Sequence, residues 1–437
     1  GKLNLAEKTL YDFRARVYRY LLEHPEQEDL IFGQFLKLTQ SFAEKAGIST
    51  DQQRMDSTLF MSNIKKAGRL VLAFDVLYKA VKSIPENHLT ENLKEVLTPE
   101  FKTQTIYKSK PSENETRLDM LLNLCLEAKN IIENIPDMQD SDVLRILNRF
   151  ISEQAFYDED RECLKAKDKK SISPDSLQSA HDEDATYRTK GGKGQSGYVL
   201  NLSETCSKDN PFQLITDYRV DQNIKSDVEL IKDRLPVIKE NTGCKDLYVD
   251  GGFYSDEVVK LGKDNGINLH FTNLSGREPS KKLPVTEYQI DESTNIITKC
   301  PKGITPIHTG ITKGQTVAHF PLKACETCEY RKKCHCKKQK KSYVVRISIK
   351  SIRSAQQRKK AERNRRENTS MRAGIEGTHS ALKRGHGLSK LKVRGLIKCS
   401  ITVGYKVLAQ NFKRFAKYML EQAKKLEPVT QGVTAPI

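Results

Sequence analysis

The sequence predicts a mixed α/β core with helical and cysteine-bearing additions, and three observations predict it. From Gly197 to about residue 276, β-branched alternating segments and helical segments follow one another, the pattern that lays helices on a mixed sheet. On either side, at 60–155 and beyond Ile352, the periodicity is helical. The third observation is charge: residues 331–400 hold 23 Lys and Arg against only Glu362, Glu367 and Glu376, whereas the whole 437-residue chain has a net charge of +18. The remainder is therefore slightly acidic. A basic surface so concentrated reads as a seat for a polyanion, nucleic acid first.

Taken in order, Leu10, Phe13, Val17 and Leu21, then Ile31, Phe35, Leu38 and Phe42, have the spacing of two short helices closing at Gly47. Residues 1–50 read either as a helical DNA-binding module or as a small helical cap. QRMDSTLF, 52–59, reads as a strand. Residues 61–180 read as a helical insert, broken at Ser109 to Asn114 and at Ile135-Pro136. GYVLNLSE and FQLITDYRV read as an antiparallel pair. SDVELIKDRL is a helix capped by Ser226 or Asp227, DLYVD a strand, and INLHFTNL another. Residues 277–351 hold short β-like segments with cysteines, 352–426 are helical, and 427–437 are expected to be disordered. The predicted core is thus assembled from 51–60, 181–276 and 352–426.

No apolar run approaches the roughly 20 residues that cross a bilayer. No signal peptide is visible either, so a cytoplasmic protein with no membrane partner is expected. The chain opens Gly1-Lys2 without Met, and a missing N-terminal piece is expected.

The basic segment contains the stretch MRAGIEGTHSALKR, 371–384. On a helix turning about 100° per residue, Glu376, His379, Lys383 and His386 fall within about 40° of Arg372. Ile375 and Leu382 lie about 60–80° round from Arg372, on the flank of that face. Gly374 and Gly377 each cost about 1 kcal/mol relative to Ala in a helix, and are expected to admit another backbone at close range. A surface ion pair explains Arg372 and Glu376, but not the glycines or the aligned His379 and Lys383. A carboxylate in a field suited to phosphates repels them unless a divalent cation lies between. Further acids are then needed, and Asp56 in RMDST and Asp250 in LYVDGGFYS stand on predicted strands.

The spacing Arg372-x3-Glu376-x6-Lys383 resembles the Tyr-x2-Arg-x3-Glu-x6-Lys signature of bacterial insertion-sequence DDE transposases. DST at Asp56, YVDGGFYS at Asp250, HDEDATYRTKGGKGQSGYV at 181–199 and LKRGHGLSKLKVRG at 382–395 are similar to that family too. The signature Tyr is absent, because position 369 is Thr369. The resemblance implies a ribonuclease-H-like core, with Asp56, Asp250 and Glu376 holding two Mg²⁺ or Mn²⁺ ions for phosphodiester cleavage and strand transfer. It also implies that Arg372 and Lys383 grip phosphates of double-stranded DNA. His379, Arg384, Arg363, Arg365 and Arg366 are expected on the same DNA-facing surface, and a homodimer is expected to join two element ends. The alternatives are a nuclease or resolvase without strand transfer, and a non-catalytic DNA-binding protein derived from a transposase.

Asp184, in DEDATYR, is the competitor for the first acid. Metal-sharing acids need rigid elements, which favours Asp56 on its strand over an acid leading into the glycine-rich approach loop KGGKGQSG. Asp184 is therefore expected outside the cluster. Cys300, Cys325, Cys328 and Cys334 read C-x24-C-x2-C-x5-C, which suits a structural zinc, with His335 and Cys336 as competing fourth ligands. Cys125, Cys163, Cys206, Cys244 and Cys399 are scattered and read as buried small side chains.

Overall fold

Residues 6–272, 282–291 and 293–426 are described by the structure, a computed structural model; the expected disordered tail at 427–437 lies outside the described residues. Helices α1 (Glu7–Glu23) and α2 (Leu30–Ala46) form where the apolar spacing placed them, and α2 stops at Gly47, whose φ of 62° suits a residue without Cβ. Strand β1 (Gln52–Phe60) follows and is buried continuously from Met55 to Phe60.

The chain then leaves the sheet for α3 (Arg69–Ser83), α4 (Glu91–Val96), α5 (Pro99–Lys102), α6 (Asn114–Glu133) and α7 (Asp142–Gln154). Their apolar faces make a separate core around Leu77, Leu121, Leu122, Leu147 and Phe150. The insert is not wholly helical, as was expected: β2 (Ala155–Asp158) and β3 (Cys163–Ala166) form a hairpin at its end. The reason lies in α6. Asn123 bonds both the N–H and the C=O of Leu164, and Asp119 accepts from the N–H of Ala166, so two polar side chains act as a strand partner.

Next come β4 (Thr186–Lys190), β5 (Lys193–Thr205) and β6 (Ile215–Gln222), then α8 (Asp227–Thr242). Helix α8 starts in a capping box made by Ser226 and Glu229. Strand β7 (Asp246–Val249), α9 (Asp256–Asp264) and β8 (Asn268–Phe271) complete the core sheet. Strands β6, β5 and β1 run antiparallel, and β7 and β8 continue from β1 in parallel. Strand β4 pairs with the early part of β5, where the sequence reading placed a loop.

A second, smaller unit follows: β9 (Gln289–Ile290) pairs with β10 (Ile297–Lys299). Beside them β11 (His308–Thr312), β12 (Gln315–Phe320), β13 (Cys336–Lys338) and β14 (Tyr343–Ser348) form a sheet in the order β11-β12-β14-β13, with α10 (Leu322–Glu326) between β12 and β13. The chain returns through α11 (Ile349–Arg363), α12 (Arg365–Gly385) and α13 (Leu396–Leu426). Among the described residues no helix is long and apolar enough to cross a membrane.

Helices α12, α13 and α2 cover one face of the sheet. Ile375 and Leu382 of α12, Val403 and Val407 of α13 and Phe35 of α2 pack on Phe60, Tyr198, Leu200 and Leu202. Helix α2 packs on α13, its Phe42 stacked on Phe415. The bond that ties this face together is polar. Glu204 of β5 is fully buried; its Oε1 accepts from Arg54 Nε at 2.8 Å, and its Oε2 accepts from Thr378 Oγ1 at 2.6 Å and Arg414 Nη1 at 3.0 Å. Arg54 also donates to the Met371 carbonyl at 2.9 Å. One carboxylate therefore joins β1, β5, α12 and α13. Removing one member of a buried charge network leaves the others uncompensated, at about 3–5 kcal/mol. Glu204→Gln is expected to lower unfolding free energy by that order in denaturant titration, and a change under about 1 kcal/mol would show that the network is dispensable.

Candidate active site

Parallel pairing of β1 with β7 matches Gln52 to Asp246 and Arg54 to Tyr248. Carrying the same register forward sets Asp56 level with Asp250, just past the end of β7. Asp250 begins a tight turn, its Oδ1 accepting from Gly252 N at 2.7 Å. A Cβ at Gly252 would stand 3.0 Å from Asp250 Oδ1 and 3.2 Å from Asp227 Oδ2, so glycine keeps the space between these acids open.

Helix α12 brings Arg372 between the acids. Its Nη2 donates to Asp56 Oδ2 at 2.8 Å and stands 3.8 Å from Asp250 Oδ2, while Nη1 lies 3.5 Å from Glu376 Oε1. A single guanidinium thus faces all three expected carboxylates. Their settings differ: the Asp56 side chain is 12% exposed, Asp250 39% and Glu376 69%. Burial pushes the Asp56 carboxyl up to about 6, with Arg372 opposing the rise and Asp250 adding to it.

His379 lies one turn further along, Nδ1 3.9 Å from Asp56 Oδ2. It was expected among the DNA-binding residues of this surface, and here only 8% of it is exposed. His379 is buried, and burial together with Lys383, Arg372 and Lys190 lowers its pKa to about 3, so it is neutral and no phosphate-gripping cation. Its Nε2 is buried with no hydrogen-bond partner among the described residues. The predicted stripe ends before His386, which caps α12 and bonds Gln410 through Nε2 at 2.9 Å. Gly374 makes room for the Arg54 guanidinium rather than for a second backbone, and Gly377 faces open space. Asp184 caps the start of α13 instead, its Oδ2 accepting from Leu396 N at 2.8 Å.

Residues 299–416 match the family model described as a transposase DDE domain. Over those residues the chain is similar to a transposase DDE domain. No curated protein and no solved structure matches it. The matched segment includes Arg372, Glu376 and Lys383; Asp56 and Asp250 precede it.

The three acids fit divalent cations in donor chemistry, since all are carboxylate oxygens and the buried Asp56 needs a positive neighbour. They are gathered around Arg372 rather than closed on an ion: among the described residues no three His, Cys, Asp or Glu side chains are set to hold a metal. The same finding leaves zinc at Cys300, Cys325, Cys328 and Cys334 without support. These sulfurs do line one small cavity together with Cys336, where they pack against Phe320 and Val345, and Cys334 Sγ lies 3.0 Å from the Tyr288 hydroxyl. Of the scattered cysteines, Cys125, Cys206, Cys244 and Cys399 are buried as expected, while Cys163 is half-buried.

The other basic residues divide by place. Arg363, Arg365 and Arg366 are exposed beside Thr369 at the junction of α11 and α12, Arg384 is exposed near the end of α12, and Lys383 is half-buried. Sequence reasoning missed Lys190, whose charge is felt at Asp56, His379 and Lys383. It also missed Asp227, held 2.6 Å from Ser57 Oγ. The GGKG run that suggested a loop concealed the first; helix capping absorbed the second.

An acid with a folded pKa above its unfolded value binds its proton more tightly when folded, so it costs stability as pH rises through the interval between them. For Asp56 that interval runs from 3.8 to about 6. Asp56→Asn is therefore expected to raise stability by up to about 3 kcal/mol above pH 6 without added metal. The gain should fade below pH 4. Equal stability of variant and parent at pH 7.5 would contradict the buried-charge account.

Proposed function

We propose that this transposase cleaves DNA at the ends of its own element and joins those ends to target DNA, with Asp56, Asp250 and Glu376 as its catalytic acids. The observation that carries the reading is the meeting of Asp56 in the middle of β1 and Asp250 just past β7 with a helix-borne glutamate, in a surface otherwise strongly basic. Mg²⁺ or Mn²⁺, when bound, supplies a polarised water or 3′-hydroxyl and offsets charge on the leaving oxygen.

The chain's own groups have distinct tasks in this reading. Asp56 and Asp250 are held rigidly by the β1–β7 register, while the exposed Glu376 side chain is free to adjust. Arg372 partly offsets the charge of the acids in the protein alone and offers its forked donors to phosphate oxygens once DNA and cations are present. Neutral His379 backs the site beside Asp56 without reaching the substrate, since its Nε2 is buried. Lys383 and Arg384, with Arg363, Arg365 and Arg366 further along, hold the double-stranded DNA by its phosphates. Joining two ends calls for two such sites, hence a homodimer on the terminal inverted repeats.

Glu376→Gln is expected to abolish divalent-dependent cleavage of duplexes bearing the element's termini, with DNA affinity kept within about twofold because no cation is removed. Full cleavage by the purified variant would refute the assignment. Affinity for duplex DNA should also fall steeply with salt. Converting Arg363, Arg365 and Arg366 to Ala should flatten the log–log slope by up to about 2.7, at about 0.9 per lost contact. An unchanged slope would move the footprint elsewhere.

A further inference from the structure

The β4–β5 hairpin has a feature that folding alone does not favour. Its register sets Lys190 directly opposite Lys193, with Gly191 and Gly192 forming the turn at φ of 58° and 75°. Like charges facing each other across a strand pair are destabilising. All four tip residues are exposed, and among the described residues neither lysine has an ion-pair partner. A lysine on an edge strand also discourages strand pairing, but that role does not call for two opposed at the tip.

The stem, by contrast, is firmly held. Arg188 donates to the carbonyls of Asn223 at 3.4 Å and Lys225 at 3.2 Å, and its Nη2 lies 3.8 Å from Asp227 Oδ2. Asn223 accepts from Thr186 Oγ1 and donates to the Gln195 carbonyl, both at 2.9 Å. Asp227 in turn accepts from Ser57 Oγ, the residue that follows Asp56. The hairpin base is thereby coupled to the strand that carries the first acid, and the Lys190 charge reaches Asp56, His379 and Lys383.

We infer that the β4–β5 hairpin is a phosphate clamp on the rim of the carboxylate site, in which Lys190 and Lys193 grip the backbone of the DNA held there. The inference rests on the DNA reading above. A phosphate between the two ammonium groups turns their repulsion into a pair of attractions, and the fixed stem gives the contact a defined place relative to Asp56.

Lysine acetylation of the full-length wild-type protein, with and without a duplex carrying the element's termini, tests the clamp without any substitution. DNA should protect Lys190 and Lys193 at least severalfold and leave Lys108 in the helical insert unchanged. The variant Lys190→Ala with Lys193→Ala should flatten the salt slope of duplex binding by about 1.8, the release expected for two contacts, without lowering the melting temperature. Lysines equally reactive in the DNA complex, or an unchanged slope, would overturn the clamp while wild-type binding left the DNA reading intact. Failure of the wild-type protein to bind duplex at all would overturn both.

Discussion

The buried Glu204 carboxylate is the constraint on which the geometry of this protein depends. Its oxygens are bonded by side chains from β1, α12 and α13, elements separated in sequence by the helical insert and the cysteine-bearing unit. Apolar packing brings α12 onto the sheet, but packing alone tolerates sliding, whereas hydrogen bonds to a charge in a dry interior do not. The position of α12 along β1 is thus set by Arg54, Glu204 and Thr378, and with it the side on which Arg372 and Glu376 emerge.

The site shows the same logic in the opposite sense. Where Glu204 is fully satisfied, the three acids at the sheet's end share one guanidinium and remain under-compensated, which is why burial raises Asp56. His379 responds by staying neutral among Arg372, Lys383 and Lys190. Such a pocket of frustrated charge costs stability and has a use only if ligands of both signs complete it: cations against the acids, and phosphates against the surrounding lysines and arginines.

Much of this was legible in the residues. The strand at Asp56, the one ending at Asp250 and the helix bearing Glu376 follow from periodicity, caps and β-branched runs, all of which act over a few residues. Reading was less sure where local signals compete. KGGKGQSG has the composition of a loop, yet it forms a turn and the start of β5 because β4 supplies the partner. CLKA becomes a strand because Asn123 and Asp119 of α6 bond its backbone. The cysteine spacing pointed to zinc; the fold gathers those sulfurs around one small cavity, and spacing does not say how they are aimed there.

By itself the sequence determined most of the elements and their order, the mixed α/β class and the concentration of positive charge, because each depends on neighbours in the chain. The tertiary structure alone decided that Asp56 and Asp250 stand level, that Arg372 lies among the acids, that His379 is buried and neutral, and that Lys190 reaches the site. Those facts depend on strand register and helix placement between residues far apart in the chain, where no local propensity acts and only packing, hydrogen bonding and charge in the folded interior select one arrangement.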